Sequence, residues 1–134
     1  MKWGSGFLLD HPTIDDQHMR LFVLTNRLAV HLAGGAEKDG WRESAGELRQ
    51  FTAQHFEFEE LLMVQAGYPA LDDHQLQHRE LLGELDLFCA QPERQPLRQR
   101  EMKSKAMTFL HQWLVAHLTL SDRAFVAWLR SRQP

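Results

Sequence analysis

The chain has one cysteine, one tyrosine and five prolines, and it has no long apolar run. Each scarcity removes a class of protein. A lone thiol, Cys89, cannot close an intramolecular disulfide, and it cannot supply the thiolates of a structural zinc site or an iron–sulfur cluster. It reads as a small apolar filler late in a helix. Stretches such as Leu21-Phe22-Val23-Leu24 and Leu61-Leu62-Met63-Val64 fall far short of the roughly 20 residues that span a bilayer. The N-terminus lacks a basic region followed by an apolar run. A cytoplasmic protein with no membrane partner is therefore expected. No strand-like alternation of useful length occurs, so no sheet is expected either.

What is present fits one domain: 134 residues, 43% of them hydrophobic, with a net charge of −3. That charge is unevenly spread, with residues 1–91 at −8 and residues 92–134 at +5. The basic residues Arg94, Arg98, Arg100, Lys103 and Lys105 lack the interleaved aromatics or glycines of a nucleic-acid module. They read as a solvated helix face, and no nucleic-acid partner is expected.

Glycine and proline divide the chain into four long amphipathic segments. The first runs from an Asp15 N-cap to about Leu32, with Leu21, Leu24, Leu28, Val30 and Leu32 as apolar positions, and Gly34-Gly35 ends it. The second starts near Asp39 and stops at Gly67 and Pro69. A third is capped by Asp72 or Asp73, carries Leu76, Leu81, Leu82, Leu85 and Phe88, and gives out before Pro92. The fourth begins near Pro96 and holds Met102, Ala106, Phe109, Leu110, Trp113, Leu114 and His117. Short connections favour antiparallel neighbours, so the expected fold is all-α: an up-down-up-down four-helix bundle. A short fifth helix over residues 122–129 follows. Residues 1–13 read as an extended arm anchored by Trp3 and Phe7.

Seven residues of metal-ligand type lie on four of these segments: His18, His55, Glu59, His74, His78, His117 and Asp122. A residue four positions on is one helical turn away and rotated by only about 40°, so His55/Glu59 and His74/His78 each aim two donors at one point. Five positions on, Asp122 would be rotated about 140° from His117 on a regular helix. It joins the site only if it lies past a helix end or an irregular turn, a break that Thr119-Leu120-Ser121, with two poorer helix formers, could provide. Imidazole with carboxylate suits iron, zinc, copper or nickel. The set is too large for one ion. Shared between two ions, with both carboxylates bridging and a hydroxide added, it leaves one ion a ligand short. By helix phase or arm position His11, His31 and His111 are not ligands, and Glu57 and Glu60 are solvated or salt-bridging.

The residues resemble the hemerythrin family over most of the chain, from Trp3 to about Phe125. The resemblance rests on Ile14-Asp15-x-Gln17-His18, on His55-Phe56-x-x-Glu59-Glu60-x-x-Met63 ending in Tyr68-Pro69, on His74-x-x-x-His78, and on Trp113-Leu114-x-x-His117 followed by Asp122. It implies a non-haem diiron centre with two iron ions. His74, His78 and His117 would hold one ion, His18 and His55 the other, and Glu59 and Asp122 would bridge them. Dioxygen would bind at the two-histidine iron, in a pocket lined by Leu21, Phe56, Trp113, Leu114 and Leu118. Two positions depart from the family pattern: Asp10-His11 stands where many relatives have Gly-Ile, and Phe125 stands where a tyrosine is common.

The implied function is reversible dioxygen binding for storage, delivery or sensing, without turnover. One alternative is a diiron peroxidase or nitric-oxide-reacting enzyme, although no further carboxylate or tyrosine is evident in the sequence as a relay. Another is an interaction module whose metal is structural.

Overall fold

In the computed structural model residues 3–34, 40–90 and 96–132 are described, those at 33–34, 96–103 and 106 for their backbone alone. The expected helix ends at Gly35, Asp39 and Pro92, the side chains of Met102 and Ala106, and all the basic positions except Lys105 lie outside that description. Helices α1 (Pro12–Gly34), α2 (Gly40–Ala66), α3 (Leu71–Cys89) and α4 (Pro96–Ala116) form a four-helix bundle, and α5 (Arg123–Ser131) follows. No strand occurs among the described residues. Helix α1 packs on α2 and α4, and α3 packs on the same two, which closes the ring. The contacts Gln17–His55, Arg27–Glu47 and His31–Ser44 run in opposite directions along α1 and α2, so this pair is antiparallel.

Local chemistry sets the ends. Gly67 takes φ 71° after α2, and the Tyr68 N–H reaches back to Met63 O at 2.9 Å, the pattern of a C′ glycine. The start of α1 differs from expectation. The helix begins at Pro12, whose fixed φ suits a first helical position and which has no N–H to leave unpaired. His11 is its cap, with Nδ1 accepting the Ile14 N–H at 3.2 Å. Asp15 lies inside the first turn, and its carboxylate accepts the N–H groups of Leu9 (2.8 Å) and His11 (3.3 Å). Asp10 adopts φ 60°, a left-handed conformation that aspartate tolerates better than most residues. The polar pair Asp10-His11 is thus the corner by which the arm enters the bundle. At α3 the cap position is Ala70, without a side-chain bond, and Asp72 and Asp73 fall in the first turn, where they favour the helix dipole.

The arm is not wholly extended, since Ser5–Phe7 form a short 3₁₀ turn. Trp3 and Phe7 stack at 5.5 Å, and both rest on Phe22. Arg123 donates to Gly6 O and Arg130 pairs with Asp10, so the arm is also tied to α5. Two apolar clusters result. The larger gathers Phe22, Leu28, Trp41, Leu48, Leu85 and Leu114, and the smaller gathers Leu9, Ile14, Met63, Phe125 and Val126. Along α1, α2 and α3 the candidate ligands fall toward the boundary of the two, as a polar layer across the bundle, while His117 lies among residues of the larger. Val30 and Leu76 face solvent at 67% and 56% exposure, and Phe109 is also exposed, so three positions read as core lie outside it.

Asp15→Ala leaves two backbone N–H groups without their acceptor. It should destabilise the protein by about 1–2 kcal/mol, read from the urea midpoint at unchanged slope.

Candidate metal centre

Helix α1 supplies His18, α2 supplies His55 and Glu59, and α3 supplies His74 and His78; all are buried. His117 and Asp122 bound a π-helical turn between α4 and α5. Bonding from i to i+5 widens that turn and brings residues five apart onto one side, which resolves the phase problem of their spacing. The Thr119 hydroxyl donates to Val115 O at 2.6 Å, a local competition that loosens a regular helix. Of the helix end and the irregular turn that the spacing allows, the structure has the irregular turn, a widened one.

The donor atoms form two groups. Glu59, His74, His78, His117 and Asp122 make one, and His18, His55, Glu59 and Asp122 the other, with donors within 4.8 Å of one another in each. Both carboxylates belong to both groups. Glu59 turns Oε1 to the Nε2 atoms of His74 (2.5 Å) and His78 (3.3 Å), and Oε2 to the Nε2 atoms of His55 (3.1 Å) and His18 (3.9 Å). Asp122 turns Oδ1 to His74 (2.8 Å) and His117 (3.0 Å), and Oδ2 to His18 (2.9 Å). Each carboxylate therefore offers one oxygen to each side, the arrangement a bridge between two cations needs.

Hydrogen bonding alone does not satisfy this cluster. His18 Nε2, His55 Nε2, Glu59 Oε2 and both Asp122 oxygens are buried and make no hydrogen bond of acceptable direction, although their distances are short. His18 Nδ1 is likewise buried without a partner, but three other far ring nitrogens are engaged. His55 Nδ1 faces Gln17 Oε1 at 2.6 Å, His78 Nδ1 faces Glu60 Oε2 at 3.0 Å, and His117 Nδ1 faces Gln77 Oε1 at 2.9 Å. Against these acceptors Nδ1 carries the proton, so in a neutral ring Nε2 presents a lone pair. Yet the Nε2 atoms of His78 and His117 are 3.1 Å apart. Two lone pairs at that distance repel, and a cation or a shared proton relieves them. Phe56 stacks on His78 (3.6 Å, 3°) and Trp113 on His117 (4.4 Å, 16°), which fixes the planes of both rings.

The electrostatics point the same way. Burial by itself would raise the Glu59 and Asp122 pKa values, and Glu59 raises that of Asp122 further. The surrounding imidazoles outweigh this and hold both carboxyls below their usual range. Burial would lower His18 and His74, but contact with Asp122 and Glu59 pushes both up to about 9. Two buried negative charges demand positive charge beside them. The donor set of imidazole and carboxylate fits a metal centre that supplies it.

Beside this cluster lies a cavity of about 10 Å³. Leu21, Phe56, Trp113, Leu114 and Leu118 all line it, with His117 on its wall, and Thr25, Leu48, Thr52, Leu81, Leu85 and Leu110 complete it. His11 caps α1 and His31 bonds Ser44 Oγ. His111 is half-buried and titrates lower because of it. None of the three belongs to either donor group.

Four residues near the site have no part in it on the sequence reading, which takes Glu60 as solvated or salt-bridging. Gln17 and Gln77 each precede a candidate ligand in the chain but serve a histidine on the next helix, because one residue's offset of about 100° turns them toward that neighbour. Glu60 is bonded to His78. Tyr68 packs edge-on to Phe125 at 4.9 Å, and its pKa is raised by burial and by the charges of Asp122 and Glu59. A carboxylate and a tyrosine therefore do stand near the site.

Comparison with known proteins agrees with the geometry. The family model of the Hemerythrin HHE cation binding domain matches residues 10–129. The chain is 28% identical to the bacteriohemerythrin of Stenotrophomonas maltophilia (strain R551-3) over 93% of its own length and 78% of that protein's. It is 33% identical to hemerythrin subunit 1 of Golfingia vulgaris over 63% of this chain and 67% of that one. The solved structure of a wild-type hemerythrin shares the fold, with a TM-score of 0.75, 24% identity and 95% coverage of both chains.

Gln77→Ala removes the acceptor that orients His117 while sparing every candidate donor. Divalent-metal retention, measured by competition with a chelator, should fall roughly 10–100-fold, whereas His31→Ala should leave it unchanged.

Proposed function

Since the chain belongs to the hemerythrin family, we propose that residues 1–134 form one domain that binds dioxygen reversibly at a non-haem diiron centre, for storage, delivery or sensing. His74, His78 and His117 would hold one iron and His18 and His55 the other, with Glu59 and Asp122 bridging them. The single observation that carries this reading is the division of each carboxylate's two oxygens between a three-histidine and a two-histidine group. The inequality leaves the two-histidine side a donor short, so that side has room for an exogenous ligand.

An iron pair held by these residues would supply the two-electron redox chemistry that reversible dioxygen binding requires. The chain's own residues would do the rest. Gln17, Glu60 and Gln77 keep protons on Nδ1, so that Nε2 stays free to bind metal. Leu21, Phe56, Trp113, Leu114 and Leu118 would form the oxygen pocket, keeping water away from the ligand and sharpening the electrostatics inside. A histidine-rich set donates less negative charge than a carboxylate-rich one, which suits a carrier better than an oxidase. The lone Cys89 is in keeping with a reducing compartment, and we place the protein in the cytoplasm.

Glu60 on His78 and Tyr68 beside Phe125 favour a second reading, a diiron peroxidase or nitric-oxide-reacting enzyme in which they relay protons or electrons.

The reduced protein should contain two irons per chain by elemental analysis. It should develop a charge-transfer band in air and lose that band under inert gas over repeated cycles. Sustained oxygen consumption driven by added reductant would displace this reading in favour of the enzyme.

Leu114 sits one turn before His117 on the cavity wall. Leu114→Ala should accelerate autoxidation several-fold with iron content intact, followed as decay of the same band.

A further inference from the structure

The cavity beside the metal cluster is not apolar throughout. Thr25 and Thr52 line it, both at least 98% buried. Each hydroxyl donates to the carbonyl four residues earlier, Thr25 to Leu21 O at 2.7 Å and Thr52 to Leu48 O at 2.6 Å. The donors are used internally, so each hydroxyl oxygen is left with acceptor capacity only.

The register of α1 on α2 relates the two hydroxyls. With Gln17 against His55, Arg27 against Glu47 and His31 against Ser44, Thr25 lies level with Leu48 and Thr52 with Leu21. The two threonines are thus four residues apart in register on adjacent helices, about 6 Å along the axis, and both line the one cavity. A cavity of about 10 Å³ is at the size that admits one water molecule.

We infer that Thr25 and Thr52 form a binding site for a single water molecule, or an equally small hydrogen-bond donor, inside the chamber. The water donates one hydrogen bond to each Thr Oγ1 and occupies volume that an apolar gas would otherwise fill. A diatomic ligand entering the chamber meets a filled space and must displace the water or share the chamber with it. On the reading given under Proposed function, the threonine pair thereby lowers the net affinity for dioxygen. The water site itself is independent of that reading.

The test uses the metal-free protein and xenon, an apolar probe that needs no iron. High-resolution crystals of the wild-type protein should show a water within hydrogen-bond distance of both Oγ1 atoms, and pressurised xenon should be excluded from the space between them. Thr25→Val/Thr52→Val keeps the shape but removes both acceptors. It should lose the water and bind xenon several-fold more tightly. A wild-type cavity that is dry, or that takes xenon between Thr25 and Thr52 as readily as the variant does, overturns the proposal. The wild-type crystals alone decide the matter if the double variant fails to fold. In the iron-loaded protein an unchanged oxygen affinity, with the water confirmed, would overturn only its role in ligand binding.

Discussion

Two carboxylates shut away from water at the centre of a helical bundle must have positive charge beside them, or they would not stay ionised. Nearly every feature of this molecule follows from meeting that demand. Five histidines converge on Glu59 and Asp122 from four helices, and the two acids share them by turning one oxygen each way. His55, His78 and His117 are in turn held by Gln17, Glu60 and Gln77, each reaching across from a neighbouring helix. Contact with the two acids outweighs burial at His18 and His74 and raises both to about 9.

The polar layer also partitions the apolar interior. On one side lie the large cluster around Phe22, Leu28 and Leu85 and the cavity; on the other lies the small cluster formed by the arm, Met63 and α5. Rings belonging to the centre touch the apolar side directly, His78 under Phe56 and His117 under Trp113. The same aromatic side chains thus set the orientation of the histidines and the polarity of the space beside them. One set of contacts governs both the rings and the cavity.

Much of this was legible in the sequence wherever helix phase alone decides. The pairs His55/Glu59 and His74/His78 converge because a four-residue step stays on one face, and the glycine at 67 ends α2 because few other residues take its φ. Elsewhere the spacing was only half the information. That His117 and Asp122 share a face depends on a change of helix type, which Thr119 and Ser121 hint at without specifying. Gln17, Gln77 and Glu60 act across helix interfaces, and a one-dimensional pattern does not say which residue faces which neighbour. The caps went differently from the simple rule for the same reason: Asp15 is bonded backward to Leu9 and His11, and its position inside the turn emerges only once the arm is in place. Val30 and Leu76 show the converse, since an apolar side chain does not have to be buried.

The π-helical turn at His117–Asp122 has an effect beyond the metal cluster. It holds one residue more than a regular turn would, and everything that follows inherits that extra step. With a residue removed, a regular helix would run on and α5 would be rotated by about 100°. Phe125 and Val126 would then leave the small cluster, and Arg123 and Arg130 would swing away from Gly6 and Asp10. The widened turn therefore acts as a counter for the chain. Leu120 at its outer edge is 70% exposed and its identity is nearly free, but the number of residues between His117 and Asp122 sets both the site and the seating of the C-terminal helix.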